Sequence, residues 1–141
     1  MHFSVTEIGD SAFLGCITLM SIEIPDSVTT IGWFVFNGCT SLGSVTIGKN
    51  VTSIGGGAFK NCESLKSVVL PDSVTLIDLW AFENCTGLLN IAFSDSVTAI
   101  EPWAFNGCER LSNVYYSGSE AQWQAISIMD GLTHKSHFPA T

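Results

Sequence analysis

Apolar and polar positions along the chain follow two periods at once. The short one is an alternation such as Ile22-Glu23-Ile24, which predicts a brief β-strand with two residues turned inward and one outward. Equivalent inward pairs are Val45/Ile47, Val68/Leu70, Ile91/Phe93 and Val114/Tyr116. The long period is 23 residues. It carries Ile8, Ile31, Ile54, Ile77 and Ile100, together with Phe13, Phe36, Phe59, Phe82 and Phe105. Cys16, Cys39, Cys62, Cys85 and Cys108 keep the same step, as do the leucines from Leu19 to Leu111 and the valines from Val5 to Val97. Each unit reads I-x-x-x-A-F-x-x-C-x-x-L-x-x-I-x-I-x-x-x-V-T-x without insertion or deletion, Val35 once replacing the alanine.

A unit of this size cannot bury its own apolar face, so neighbouring units must stack, one coil per repeat, into a repeat solenoid. The "PDSVT" stretch, clearest at Pro25-Asp26 and Pro71-Asp72, predicts a turn, because proline fixes φ and Asp and Ser bond the local backbone. Val28 and Ile31 then point inward on a second short extended segment. The "AFxxC" stretch is expected to form a short helical or 3₁₀ turn. Corresponding residues of adjacent coils should lie about 4.8 Å apart, which makes the phenylalanines a buried column.

The stretches "IGWFVFNGCTSLGSVTIGKNVTS" and "IDLWAFENCTGLLNIAFSDSVTA" resemble BspA-like leucine-rich repeats of the treponemal, 23-residue type, and the likeness runs from residue 4 to about 118. The resemblance implies a leucine-rich-repeat right-handed coil stack. A parallel β-sheet would line its concave face, with short β or 3₁₀ segments on the other sides. "VYYSGSEAQWQAISI" looks like the closing segment of such proteins. It also implies surface-exposed or secreted proteins of mucosal microbes that adhere to host matrix proteins or to other cells, and it brings no catalytic residues. On this reading residues 1–141 form a single leucine-rich-repeat domain. Repeats start near 8, 31, 54, 77 and 100, after a partial repeat at 1–7, and a C-terminal cap occupies 117–141.

That cap has its own signature. Ser119 at the N-cap and Gln122 three residues on form a capping box, which predicts a helix from about Glu120 to Ile126 with Trp123 and Ile126 on one face. It would lie over the last coil and shield its open end. The tail "SIMDGLTHKSHFPAT" is read as leaving the period, and His134 and His137 in it lack a third ligand, so it is taken as a surface tail.

Five Lys and Arg against 13 Asp and Glu give a formal charge of −8. That balance speaks against nucleic acid and against anionic lipid surfaces, both of which call for cationic side chains. No apolar run approaches the ~18–20 residues needed to cross a bilayer. "MHFSVTEIGD" has neither a basic region nor an apolar core, so no signal peptide is read there. The resemblance implies the cell surface or secretion as part of a longer protein, and the lack of a signal peptide in this chain leaves the cytoplasm open. Asn50-Val51-Thr52 and Asn84-Cys85-Thr86 match the glycosylation acceptor pattern.

The cysteines are read as buried free thiols in the core. A ladder leaves Cβ atoms near 4.8 Å apart rather than the ~3.8 Å of a disulfide. It also spreads ligands along a line, whereas zinc needs them to converge. No histidine recurs beside a cysteine, so a nucleophile is not indicated. No Gly-rich phosphate loop or Ser/His/Asp grouping is visible either, and neither enzyme activity nor a cofactor is expected.

Binding should then use a surface. On the presumed concave sheet the outward residues are Glu23, Thr46, Val69, Ala92 and Tyr115, with Lys66 and Leu89 beside them. This face is short-chained, nearly uncharged, and more apolar toward the C-terminus, which suits protein contact. A second candidate is the aromatic group Trp33, Phe34, Trp80 and Trp103. Phe34, Trp80 and Trp103 share one repeat position and should pack half-buried, while Trp33, one position off, should be exposed. The first expectation is an adhesion module that binds a host or cell-surface protein through the sheet face. The alternative is a self-assembling subunit, dimer or filament, stacking through the Ile8 end, which has no cap of its own.

Overall fold

The computed structural model describes residues 4–128. The chain winds as a stack of coils. In each full coil one strand joins a broad face, a turn follows, and a two-residue strand joins a narrow face. A stretch of tight turns then leads to the next broad strand. The broad strands are β2 (Ser21–Ile24), β4 (Ser44–Ile47), β6 (Ser67–Val69), β8 (Asn90–Phe93) and β10 (Asn113–Tyr116). The narrow ones are β1 (Glu7–Ile8), β3 (Thr30–Ile31), β5 (Ser53–Ile54), β7 (Leu76–Ile77), β9 (Ala99–Ile100) and β11 (Ser127–Ile128). A helix, α1 (Glu120–Ala125), stands between β10 and β11.

Every pairing is parallel, and the 23-residue step sets the register: Ile31 faces Ile54, and Val114 faces Ile91. The narrow strands form one continuous six-stranded sheet in the order β1-β3-β5-β7-β9-β11. Its last member lies inside the segment read as outside the period. Ile128 faces Ile100, 28 residues away rather than 23, because α1 is inserted before the chain regains the ladder. His134 and His137 lie outside the described residues.

The ladders close the core. Val28, Ile31, Phe36, Cys39 and Leu42 are buried, as are their equivalents in the next two coils. The Phe13–Phe36–Phe59–Phe82–Phe105 rings stack at centroid distances of 5.4, 5.3, 5.3 and 5.4 Å. Burying one such ring contributes roughly 1.5–3 kcal/mol, and each aromatic pair roughly 0.5–1.5 kcal/mol more. The thiols have a definite role beside them. Cys39, Cys62, Cys85 and Cys108 each turn Sγ to the carbonyl of the preceding coil's phenylalanine, at 3.0–3.2 Å. All five cysteines are free.

Two expectations need correction. The "AFxxC" stretch is neither helical nor 3₁₀. Phe34, Trp80 and Trp103 have φ near +57°, as does Ser11, and Gly57 shares that position with φ +62°. A second left-handed residue follows four positions on, at Gly15, Gly38, Asn61, Asn84 and Gly107. This alternation turns every other N–H along the stack. Phe13, Phe36, Phe59 and Phe82 donate to Val35, Ala58, Ala81 and Ala104 of the next coil, while the residues between close local turns such as Cys16 to Phe13. The backbone is thus satisfied between coils, as in a sheet, without extended strands.

The second correction concerns the broad face, expected as one sheet and found as two, β2-β4 and β10-β8-β6. Proline explains part of the break. Ser117 donates its N–H to Phe93 in the coil before it. Pro71 holds the same repeat position after β6 and has no N–H to give to β4.

The helix forms as its sequence predicts. Ser119 Oγ accepts from Gln122 N, and Gln122 Oε1 accepts from Ser119 N. Trp123 and Ile126 are buried, the Trp123 ring packing at a tilt against Tyr116 and Phe93 with centroids 5.4 and 6.2 Å away. The helix ends at Ala125, and Ile126, expected as its last residue, is the C-cap.

Candidate binding surface

Alternation in the broad strands sends both residues of each inward pair into the stack and leaves the residue between them on the surface. Registers place Glu23 beside Thr46 on the two-stranded sheet, and Val69, Ala92 and Tyr115 side by side on the three-stranded one. The break between β4 and β6 therefore divides the expected site. Lys66 is exposed and Leu89 half-buried, both just before their strands. Trp33 lies on the tight-turn side, so the fold does not bring it to the others.

The three-stranded part has relief. A groove of about 400 Å³ runs over Val69, Ala92 and Tyr115 toward the turns after the strands, where Asp72, Ser94 and Ser117 border it. Val69 is 67% exposed and Tyr115 39%, and the short Ala92 between them forms the low point. Asp72 was legible in the sequence only as a turn residue. Its place at the groove's end depends on how the turn leaves β6.

The aromatic group packs as a column on the tight-turn side. Phe34 stacks on Trp80 and Trp80 on Trp103, each pair with centroids 6.4 Å apart. Phe34 and Trp80 are two coils apart, and Gly57 between them makes the contact possible: a Cβ there would meet the Phe34 ring at 2.4 Å. Left-handed φ costs bulky residues roughly 1–3 kcal/mol each, which the stacking offsets in part. The half-buried ladder expected for Phe34, Trp80 and Trp103 is present, and Trp103, 46% exposed, is its least covered member, having no ring stacked beyond it among the described residues. Trp33 is 40% exposed as expected, with its ring laid over Gly56. Lys60 sits 5.7 Å over the Trp80 ring and pairs with Glu83 at 3.0 Å, and Asn106 donates to the other Glu83 oxygen.

Three of the thiols are poor nucleophiles here. Burial pushes Cys39 up, and it pushes Cys62 up to about 12. Cys85 is raised well above its usual value, first by its hydrogen bond with Cys108 and then by burial. Among the described residues no group of three His, Cys, Asp or Glu is placed to hold a metal ion. No described helix is long and apolar enough to cross a membrane.

Comparison with known proteins agrees with this architecture. Residues 4–128 match the family model of the BspA type leucine-rich repeat region, in six copies. No curated protein matches. Among solved structures, the chain is 39% identical to a leucine rich cell surface protein from Faecalibacterium prausnitzii (TM-score 0.88), over 94% of this chain and 35% of that one. It is 34% identical to the leucine rich repeat protein of T. pallidum (TM-score 0.76; 78% of this chain, 51% of that). A leucine-rich repeat protein from Bacteroides ovatus is 36% identical (TM-score 0.75; 84% and 30%). The chain thus spans between about a third and a half of the length of these proteins. With the repeats, the coil geometry and the family model in agreement, the chain belongs to the BspA-type leucine-rich repeat family.

Proposed function

We propose that this chain is a non-enzymatic protein-interaction module of a microbial cell-surface or secreted protein, and that it binds its partner through the outward face of the broad strands. The observation that carries this reading is the run Val69, Ala92 and Tyr115 around a groove on a face otherwise made of short side chains. Exposed apolar groups arranged contiguously on a rigid sheet suit a partner's side chains better than they suit water. Likeness to a protein described as a leucine rich cell surface protein supports a place at the cell exterior.

The test is a variant carrying Val69→Glu, Leu89→Glu and Tyr115→Glu, compared with the parent chain for binding to immobilised matrix proteins and to intact cells. Binding by the parent and its loss in a variant of unchanged thermal stability supports the reading. Equal binding by both removes the face from consideration.

A second reading rests on a separate observation. In the first described coil Val5, Leu14, Ile17 and Met20 are 53–72% exposed. Such a surface favours self-association through that end. Light scattering across a concentration series, with Leu14→Glu/Ile17→Lys as control, tests it: a mass that stays monomeric in the parent rules the reading out.

A further inference from the structure

The groove over β6, β8 and β10 has a charged end as well as an apolar bed, and together these specify an occupant. Aspartate stands at the same turn position in three coils, as Asp26, Asp72 and Asp95. Asp26 is engaged: its carboxylate accepts the Lys49 N–H at 3.0 Å and lies 4.0 Å from the Lys49 ammonium. Asp95 accepts from Gln122 Nε2 at 3.4 Å. Asp72 is exposed and has neither kind of contact among the described residues. Lys60 is held by Glu83, and Lys66 precedes β6 at the opposite end of the strand. The one turn aspartate without a side-chain partner is thus the one that borders the groove.

We propose that this groove receives one long cationic side chain, lysine or arginine, from a partner polypeptide. Its aliphatic stem would lie on Val69, Ala92 and Tyr115 and its charged head at the Asp72 carboxylate. Such side chains bury their methylene stems on apolar surface while the head stays at a polar rim. The Tyr115 ring adds a face that attracts a cation. Charge complementarity selects the same sign over the whole molecule: a net charge of −8 draws cationic segments and repels anionic ones. A cavity of about 400 Å³ falls toward the lower end of the usual range for binding pockets, with room for one extended side chain and part of its backbone. The inference rests on the broad-strand face being the binding face.

The experiment is a titration of the ¹⁵N-labelled 141-residue chain with Ac-Ala-Arg-Ala-amide and with its citrulline counterpart, which keeps the shape and removes the charge. The arginine peptide should produce saturable shifts at Val69, Asp72, Ala92 and Tyr115, and the citrulline peptide should bind about three- to fivefold more weakly, the ratio for a partly exposed ion pair. Asp72→Asn, a substitution on an exposed turn, should erase that difference, and high salt should narrow it. Equal affinity of the two peptides for the parent chain, or a difference that survives Asp72→Asn, overturns the assignment of a cation. Absence of saturable shifts at the four residues overturns the groove as a site. Neither result touches partner binding by the Val69/Leu89/Tyr115 variant, so failure here is distinguishable from failure of the broad-strand face.

Discussion

The two ends of the coil stack begin from the same ladder and finish differently. At the C-terminal end Tyr116 and Trp123 close over Phe93, and β11 extends the narrow sheet past the last full coil. At the other end Ile8, Phe13, Cys16 and Leu19 occupy the same repeat positions as fully buried residues elsewhere, yet are only partly buried; in the last coil Cys108 and Leu111 are partly buried too, but Ile100 and Phe105 are closed over. One residue type at one position is therefore worth different amounts along the stack, and what decides is the neighbour above or below. A solenoid's stability is close to a sum of such nearest-neighbour contacts.

The largest expected effect contrasts the middle with the first described coil. Phe59 has a stacked ring on both sides, so Phe59→Ala should cost about 3–5 kcal/mol in urea denaturation. Phe13 stacks on one ring only, and Phe13→Ala should cost less than half as much. Equal losses would break the comparison and show that the first coil is covered in solution. Next in size is Trp123→Ala, about 3 kcal/mol, because it uncovers Phe93 and Tyr116 and makes the capped end resemble the first described coil. A loss under about 1 kcal/mol would mean that the end closes by other contacts.

How much of this was legible depends on whether a feature recurs. The Ile, Phe, Cys, Leu and Val ladders repeat without a gap, so the coil, its register and its buried positions could be read directly, as could the capping box at Ser119 and Gln122. The tight-turn side was misread because its left-handed positions hold Phe34, Trp80 and Trp103, bulky residues that give no warning of positive φ. The break in the broad face depends on Pro71 lying across from β4, whereas Pro25, at the equivalent place, follows the first described broad strand and has none before it to meet. Ile128 was hidden because α1 shifts the step by five residues. Five of the eight residues put forward for binding lie at one outward position, but only three of them share the groove. Asp72 could not be told from Asp26 and Asp95 in sequence, since the three differ only in what lies across from them.

A smaller effect follows the same gradient through the thiols. Cys62 has a folded pKa near 12 against an ordinary value of 9.0, and Cys39 and Cys85 are shifted the same way. A raised pKa means that the folded core favours the neutral thiol. That contribution is complete below about pH 9 and is lost as pH rises through about 12, so the melting temperature should fall across that window. Replacing Cys39, Cys62 and Cys85 with alanine should flatten the fall. A thiol-reactive chromophore at pH 8 should modify Cys16 and Cys108 well before the three buried residues, and uniform labelling would contradict the gradient.

The smallest effect lies at the capped end. Ser119→Ala removes the acceptor for Gln122 N while leaving Trp123 in place, so it separates the helix's own start from the packing that holds it down. A lost N-cap costs about 1 kcal/mol in most settings. If α1 is held chiefly by Trp123 and Ile126 on the last coil, the loss should stay near that value and hydrogen exchange should quicken only across Glu120–Ala125. A larger loss, with faster exchange spreading to β11 and β9, would show that the helix start also fixes the strand after it. The cap would then be a single cooperative piece continuous with the narrow sheet, rather than a helix laid upon a finished stack.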